Sequence, residues 1–478
     1  MLPNRVTAVL PATLIMVGGL RSLARAAAPY SDSPVVTDIS FNWSTHERHA
    51  DGSDNWAVTW ADDDNQYGAW GDGYGWAETG AKQSLGVTSI SGTSSSPSGT
   101  DLWGLPVVGS PGGKSYGILS VDGVLYMWVG PGSGTTSYDE ARIYRSTTHG
   151  TSWTQASWAF TKNQDLIMPT FLNFGQDYAG ARDDYVYAYF IRLQGNPSSL
   201  GVMIPGQIDL ARVPKTQIMI QGAWEFFAGM SGPDPTWTSD PASRQPVFED
   251  TNGVGWNCSV SYNAGLGRYL LCTEHTDTME GRLGMFDAPE PWGPWMTVYY
   301  AETDGRFGDG HVDTTTFYWN CSNKWLSGGG RDFILIFSGT GTNDAFNMVA
   351  GHFILDQRVT LILTETNASW GDIDIQPEPN DANNMLFARG SEVTLTPLPI
   401  EGKALGRWEI FDPDYPGDVN HATIDANGTT TVIMDTDMHV NAVWKCGGGS
   451  APFLLVTLLV LGRLQQRVTQ GRGRFWRA

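Results

Sequence analysis

The 478-residue chain has few charged residues and little positive charge. Only 17% of its residues are charged, and 29 Lys and Arg are outnumbered by 50 Asp and Glu, which gives a formal net charge of -21. A surface of that sign repels nucleic acid and anionic lipid, so neither is an expected partner. A neutral or cationic ligand suits the composition, although composition alone does not choose a function.

The sequence also lacks the common catalytic and cofactor motifs. It contains no Ser-His-Asp motif, phosphate loop, dinucleotide fingerprint or zinc-ligand spacing, so we expect no cofactor and no metal centre. Cysteines are scarce: Cys258, Cys272, Cys321 and Cys446. The first two flank a hairpin with its turn near Gly265, where a disulfide is possible in an oxidising compartment.

Aromatic residues and glycines are abundant, with 20 Trp and 57 Gly. Short alternating segments separated by Gly, Asp, Asn or Pro predict an all-β protein with many hairpins. Residues 115–130 place a Val-Asp-Gly turn between two such segments, and residues 146–153 resemble an Asp-box with Thr148 in place of Asp. Asp-boxes are structural turns of sialidase-like propellers. Residues 36–357 would suit a five-bladed β-propeller, with a β-sandwich as the alternative.

Both ends of the chain resemble sorting segments. Residues 1–27 have a basic start, an apolar stretch and small residues at the end, which predicts a secretory signal peptide; an N-terminal membrane anchor is the alternative. Residues 446–478 begin with Cys446 and glycines, continue with an apolar stretch and end in an Arg-rich tail, and resemble bacterial C-terminal sorting signals. We therefore expect secretion, with retention at the bacterial cell surface or outer membrane.

Residues 358–445 predict a separate small β module. The segment resembles the divergent bacterial modules related to the InlB B-repeat, which implies a spacer or adhesive role without catalysis. The residues that carry the likeness are Gly390, Thr394 to Pro397, Trp408, Met434, Asp435, Asp437, Val440, Ala442 and Trp444.

The most informative segment is residues 53–73. A hairpin centred on Asp63 would place Trp56 opposite Trp70, both as core residues, and Asp54 opposite Asp72. Two carboxylates so close repel each other, which raises the pKa of one of them. An acid and a base separated in this way are what a glycosidase needs.

Other interpretations of this hairpin remain open. Asp is common at hairpin ends, and a shift of one residue in the register would place the two acids on opposite faces. We interpret Asp62, Asp63 and Asp64 as turn residues, with a calcium site as the alternative.

Residues 54–73 resemble the opening motif of the family called domain of unknown function 4185. The likeness continues through segments 117–126, 208–215, 261–271, 288–295 and 323–339. This family includes glycoside hydrolase family 183, endo-acting D-arabinofuranosidases with a five-bladed propeller and an inverting mechanism. The resemblance implies that Asp54 and Asp72 are catalytic. The sequence does not decide their roles; we assign Asp54 as base and Asp72 as acid.

Further residues are candidates for binding a sugar. Aromatic faces stack on sugars, and basic side chains bind hydroxyls or steady carboxylates. Polar residues at strand ends often line the central pocket of a propeller. The candidate substrate-binding residues are Tyr74, Trp76, Lys114, Arg142, Glu274, His275, His311 and Asp313.

These features predict a secreted, surface-attached glycoside hydrolase that cleaves a furanoside polysaccharide such as D-arabinan. The alternatives are a non-catalytic carbohydrate-binding or adhesive propeller, and a polysaccharide lyase, which the acidic composition disfavours because a uronate substrate is anionic. We expect membrane contact only through the C-terminal segment. The glycan, exo or endo action, the oligomeric state and the fate of Cys446 remain open.

Overall fold

A computed structural model describes residues 27–103, 113–130, 139–195, 201–302, 305–355, 358–379, 385–388, 392–411, 422–425, 428–434 and 437–446. Almost all of the predicted signal peptide and of the sorting segment lies outside these residues, as do Gly390 and Asp435. The described residues divide into two compact units at Leu355, two residues before the boundary predicted from the sequence.

The secondary structure of the described residues consists of strands and short 3₁₀ turns, which confirms the prediction of an all-β protein. None of these residues forms a helix with the length and apolar character to cross a membrane. The 3₁₀ turns are Lys162–Gln164, Gln176–Tyr178, Lys215–Gln217, Gln221–Ala223, Pro241–Ser243, Gly328–Gly330 and Gly341–Asn343.

The strands of the first unit form four sheets, which we divide into five antiparallel groups because the largest sheet consists of two antiparallel parts joined by a parallel pair. A single strand, β1, is Val36–His49. Group I comprises β2 Asp54–Trp60, β3 Gln66–Gly73, β4 Gln83–Thr93 and β5 Ser96–Trp103. Group II comprises β6 Lys114–Val121, β7 Val124–Gly130, β8 Glu140–Ser146, β9 Thr154–Gln155 and β10 Phe160–Thr161.

The remaining groups follow in chain order. Group III comprises β11 Ile167–Asn173, β12 Tyr185–Ile191, β13 Gly206–Pro214, β14 Glu225–Ser231, β15 Asp234–Thr238 and β16 Pro246–Asp250. Group IV comprises β17 Cys258–Asn263, β18 Arg268–Glu274, β19 Leu283–Ala288 and β20 Met296–Tyr300. Group V comprises β21 Thr316–Cys321, β22 Asp332–Gly339 and β23 Phe346–Leu355, with β1 as its outer strand.

The first strands of the five groups form a closed cycle of contacts. Strand β2 contacts β6, β6 contacts β11, β11 contacts β17 and β17 contacts β21, which returns to β2. The β11–β17 contact is a parallel pair that joins groups III and IV into one ten-stranded sheet. Strand β1 precedes β2 in the chain but pairs with β23, so the two ends of the first unit meet in group V.

Local sequence explains the hairpins. Val121 pairs with Val124, so Asp122 and Gly123 alone make the turn, both with positive φ, which is the type I′ geometry that suits twisted strands. The predicted Val-Asp-Gly hairpin is therefore confirmed. In the Asp-box turn, Ser146 Oγ accepts the Gly150 N–H at 2.9 Å, which fixes the β8–β9 connection.

Buried aromatic residues fill the first unit, and Trp56, Trp70, Trp128, Trp224 and Trp319 are fully buried. The three cysteines of this unit are buried free thiols. The register places Ser259 opposite Cys272 and Cys258 opposite Thr273, so the two candidate disulfide partners are offset by one residue. The structure thus contradicts the suggested Cys258–Cys272 disulfide.

The second unit has two sheets around a core that contains Trp408. The five-stranded sheet is β26 Leu386–Ala388, β24 Arg358–Glu365, β31 Met438–Cys446, β28 Lys403–Phe411 and β29 Ala422–Asp425, in spatial order. The three-stranded sheet is β25 Gly371–Gln376, β27 Glu392–Pro399 and β30 Thr430–Ile433.

Candidate active site

The register of the β2–β3 hairpin changes immediately beside Asp54. Ala57 pairs with Ala69, in the predicted register, but Asp54 pairs with Gly71 instead of Asp72. The irregularity includes Asn55, which has a φ of 60°. The prediction that the two aspartates lie directly opposite each other is therefore wrong by one residue.

A second unusual backbone angle brings Asp72 back to the site. Asp72 has a φ of 43°, in the left-handed region that few non-glycine residues adopt, and its carboxylate forms an ion pair with Lys114. A methyl group on Gly71 would lie 3.0 Å from Asp54 Oδ1 and 3.6 Å from Lys114 Nζ. Lys114 therefore pairs with Asp72 and lies near enough to Asp54 to act on it through its charge, and the missing side chain at Gly71 provides the space.

A buried network of amide hydrogen bonds stabilises the backbone next to Asp54 and Lys114. Asn55 Nδ2 donates a hydrogen bond to Ser115 O at 2.9 Å, and Asn257 Nδ2 donates to Asn55 Oδ1. All three residues are buried. Because Asn55 follows Asp54 and Ser115 follows Lys114, the network fixes the spacing between Asp54 and Lys114. Backbone strain of the kind at Asn55 is typical of functional sites.

Ser53 ties the two ends of the hairpin together. Its buried Oγ accepts the N–H groups of Tyr74 at 3.0 Å and Gly75 at 2.9 Å, while its carbonyl accepts Trp56 Nε1–H at 2.8 Å. Gly73 has no space for a Cβ, which would lie 2.1 Å from Ser53 Oγ. The chain before Asp54 and the chain after Asp72 therefore share one anchor.

The surroundings of Asp54 raise its affinity for a proton. Burial raises the pKa of Asp54 from 3.8 to about 7; Lys114 lowers it, and the charges of Asp72 and Asp344 raise it. Asp72 is exposed and held by its ion pair with Lys114. One carboxyl that keeps its proton near neutral pH thus stands beside one that is paired with a cation, and such a difference suits an acid and a base.

A second charged pair lies at the edge of the site. Lys82 Nζ is 3.4 Å from Asp344 Oδ2 and 5.6 Å from the centre of the Tyr74 ring. Tyr74 is half-buried and also packs against Gly52, two residues before Asp54. Of the predicted sugar-binding residues, Lys114 and Tyr74 are therefore the ones that the structure brings to the two aspartates.

Trp76 does not line the site, contrary to prediction. Its ring stacks on His49 with centroids 4.9 Å apart and also contacts Trp56 and Phe346. A Cβ on Gly99 would overlap the same ring at 2.1 Å. The indole therefore fills the space between groups I and V.

Three other predicted residues lie elsewhere. Arg142 is on β8, where it pairs with Glu140 and donates to Ala156 O. His311 stacks on Trp43 of β1, with centroids 4.9 Å apart, and Asp313 is exposed. In the described part of the chain, no hydrogen bond or ion pair joins any of these three to Asp54 or Asp72.

Glu274 and His275 are also wrong as substrate contacts, because both are fully buried. The His275 ring stacks on Tyr300 at 3.7 Å, and burial lowers the pKa of His275 to about 3. Burial raises the pKa of Glu274 from 4.5 to about 8, although Glu274 Oε1 accepts the backbone N–H of Glu280. Both groups are neutral interior residues in the folded protein at neutral pH.

The Glu274 pKa has a consequence for stability. A carboxyl that binds its proton more tightly when folded stabilises the protein fully below about pH 4.5, and this contribution is lost as the pH rises through about 8. Glutamine cannot ionise, so we expect the melting temperature of Glu274→Gln relative to the wild type to rise by about a few degrees between pH 5 and pH 9. Glu401→Gln, at an exposed glutamate, is the control for calorimetry. An equal difference at both pH values would contradict the prediction.

The acids of the β2–β3 turn have other partners. Asp63 Oδ1 accepts the Asn65 N–H at 3.0 Å, as predicted for a turn residue, and Tyr67 OH donates to Asp63 Oδ2. Asp62 Oδ1 is 2.8 Å from His149 Nε2, in the Asp-box turn. The Asp62–His149 contact joins group I to group II, and the Asp63 contacts stabilise the turn itself.

Sequence reasoning missed Asn55, Ser53, Asn257 and Asp344. Ser53 and Asn55 flank Asp54 and could have been singled out on proximity alone. Asn257 and Asp344 are about 200 and 290 residues further along the chain and carry no local motif. Only the cycle of strand groups brings them to Asp54.

Comparison with known proteins gives a family match for the middle of the chain. Residues 116–311 match DUF4185, a domain of unknown function. The resemblance noted in the sequence is therefore confirmed for this part. The DUF4185 match begins just after Lys114 and ends before Asp344, so it includes Asn257 but leaves Asp54, Asp72, Lys114 and Asp344 outside. No curated protein matches the chain.

Several solved structures resemble the chain distantly, among them glycoside hydrolases. A GH43_1 enzyme from Xanthomonas citri aligns with a TM-score of 0.40 and 11% identity over 64% of this chain and 89% of that one. The catalytic domain of a Coprinopsis cinerea GH62 α-L-arabinofuranosidase aligns with 0.38 and 10% over 63% and 91%. An exo-β-1,3-galactanase from Phanerochaete chrysosporium aligns with 0.37 and 9% over 84% and 95%. These likenesses are too distant to transfer a function to this chain.

Proposed function

We propose that the protein is a glycoside hydrolase that cleaves a furanoside polysaccharide such as D-arabinan with inversion of configuration. The observation that carries this proposal is the pairing of Asp54, whose pKa is raised to about 7, with Asp72 in an ion pair with Lys114. Inverting hydrolysis needs one protonated and one ionised carboxyl on either side of the scissile bond. The choice of substrate is supported by the resemblance of residues 54–73 to the opening motif of the family.

The electrostatics favour roles opposite to those assigned from the sequence. Asp54 acts as the acid and transfers its proton to the glycosidic oxygen as the bond to the anomeric carbon breaks. Asp72 acts as the base and takes a proton from the water that attacks the same carbon from the other face. Lys114 holds the Asp72 carboxylate in place.

We also propose a five-bladed propeller for residues 36–357, with the site at one end of its central axis. The five strand groups and the cycle of contacts among their first strands support this architecture. Asp54 and Lys114 begin the first strands of adjacent groups, which is where a central pocket would open.

We propose that the protein is exported, on the basis of the segments that precede and follow residues 36–357. We propose a signal peptide at residues 1–27, retention at the cell surface through residues 446–478, and a spacer or adhesive role for the module between Arg358 and Lys445. The sequence features of these segments are the support for this part of the proposal.

Digestion of a glycan panel tests the proposed function. We expect the purified protein to release oligosaccharides from D-arabinan, and proton NMR of the first products to show inverted anomeric configuration. Binding without product release would favour a non-catalytic carbohydrate-binding protein. Products that absorb in the ultraviolet would indicate a lyase.

A further inference from the structure

A third carboxylate reaches the candidate site from group V. Asp344 follows the 3₁₀ turn Gly341–Asn343, between β22 and β23. Its backbone oxygen accepts the N–H of Gly52 at 2.6 Å. The segment that leads directly into Asp54 is therefore held by group V, whose strands β21 to β23 come last in the sequence of the first unit.

The Asp344 side chain has one polar partner on one oxygen. Oδ2 is 3.4 Å from Lys82 Nζ, and Lys82 is about half exposed, so this pair is partly screened by water. Oδ1 is buried and accepts no hydrogen bond from the described residues. A half-buried carboxylate that is only partly neutralised acts on neighbouring charges over several ångströms.

We propose that Asp344 is a positioning residue of the hydrolytic site, acting on Asp54 through its charge and through its hold on the Gly52 turn. The inference rests on the proposed function, because it assigns Asp344 to the control of the acid. Lys82 is the counter-charge that sets how strongly Asp344 acts.

The charges around the two groups give the direction of this effect. Asp54 faces Lys114 and Lys82, which lower its pKa, and Asp72 and Asp344, which raise it. Burial raises the pKa of Asp344, Lys82 lowers it, and Asp72 and Asp51 raise it further. Removal of the Asp344 charge should therefore release the Asp54 proton at lower pH.

The test compares Asp344→Asn with the wild type. Asparagine keeps the shape of the side chain and the backbone bond to Gly52. Carbon-13 NMR of protein labelled at the aspartate carboxyls follows the titration of Asp54, whose signal is the one missing in Asp54→Asn. We expect its midpoint to fall by roughly half a pH unit in Asp344→Asn, as for one partly screened charge. The basic limb of the kcat/KM profile should move by the same amount.

Two further variants separate charge from structure. Asp51→Asn removes a carboxylate that is held by Arg48 at 2.8 Å and should leave the Asp54 midpoint in place. Lys82→Met should raise the midpoint, because Lys82 lowers the pKa of Asp54 and also offsets the charge of Asp344.

These measurements distinguish failure of the Asp344 inference from failure of the proposed function. An unchanged Asp54 midpoint in a folded Asp344→Asn protein overturns the inference, even if Asp54→Asn has lost activity. If the wild type hydrolyses no glycan but the midpoint moves, the coupling between the two groups stands and the hydrolase proposal falls.

Discussion

Replacement of Asp54 by Asn is expected to lower kcat/KM on the glycan by about a thousandfold. Asparagine fits the same space but has no proton to give to the departing oxygen, whereas Asp54 keeps its proton up to about pH 7. Asp72→Asn should cause a loss of similar size, because water then has no base. Initial rates of product release measure both effects.

The choice of substrate distinguishes the two roles. An aryl furanoside with a nitrophenol leaving group needs little help from an acid, so Asp54→Asn should recover much of its activity on that substrate. Asp72→Asn should remain inactive on both. Asp234→Asn, at an exposed carboxylate on β15, the edge strand of group III, is the matched control and should behave as the wild type. Recovery by Asp72→Asn instead would reverse the assignment.

Gly73→Ala is expected to lower the free energy of unfolding by about 3 kcal/mol and to abolish most of the activity. The added methyl group would overlap Ser53 Oγ at 2.1 Å and Ser53 Cβ at 2.3 Å. Ser53 is fully buried and cannot move away without losing the hydrogen bonds to Tyr74 and Gly75. Denaturant unfolding measures the stability.

Gly222→Ala is the control for this prediction, because a Cβ there meets no atom within 4 Å. Its stability should stay within about 0.5 kcal/mol of the wild type. If Gly73→Ala were as stable as Gly222→Ala, the packing of Ser53 against Gly73 would not be what fixes the hairpin.

The sequence predicted the β2–β3 hairpin correctly near its turn but not at its open end. Between Ala57 and Trp60, alternation and turn residues determine the pairing, and the observed register agrees. At Asn55 a long-range interaction takes over, because its amide is bound by Ser115 O and Asn257 Nδ2. Local patterns do not contain that information.

In the candidate site, too, local sequence patterns predicted some contacts correctly and missed those that depend on distant residues. Lys114 was predicted to steady a carboxylate or bind a sugar hydroxyl, and its ion pair with Asp72 matches the first of these. Glu274 and His275 stand at a strand end, where polar residues often face a pocket, but the packing of Tyr300 encloses His275 instead. Whether a strand end is open or covered depends on the neighbouring loops, which the sequence alone does not place.

The pairing of β1 with β23 affects when the first unit can fold during synthesis. Strand β1 emerges early during synthesis, yet its partner ends at Leu355, some three hundred residues later. Contacts so distant in sequence form slowly. A shortened chain lacking β23 would leave β1 without its paired strand, so the proposed hydrolytic activity should appear only after translation of the whole first unit is complete.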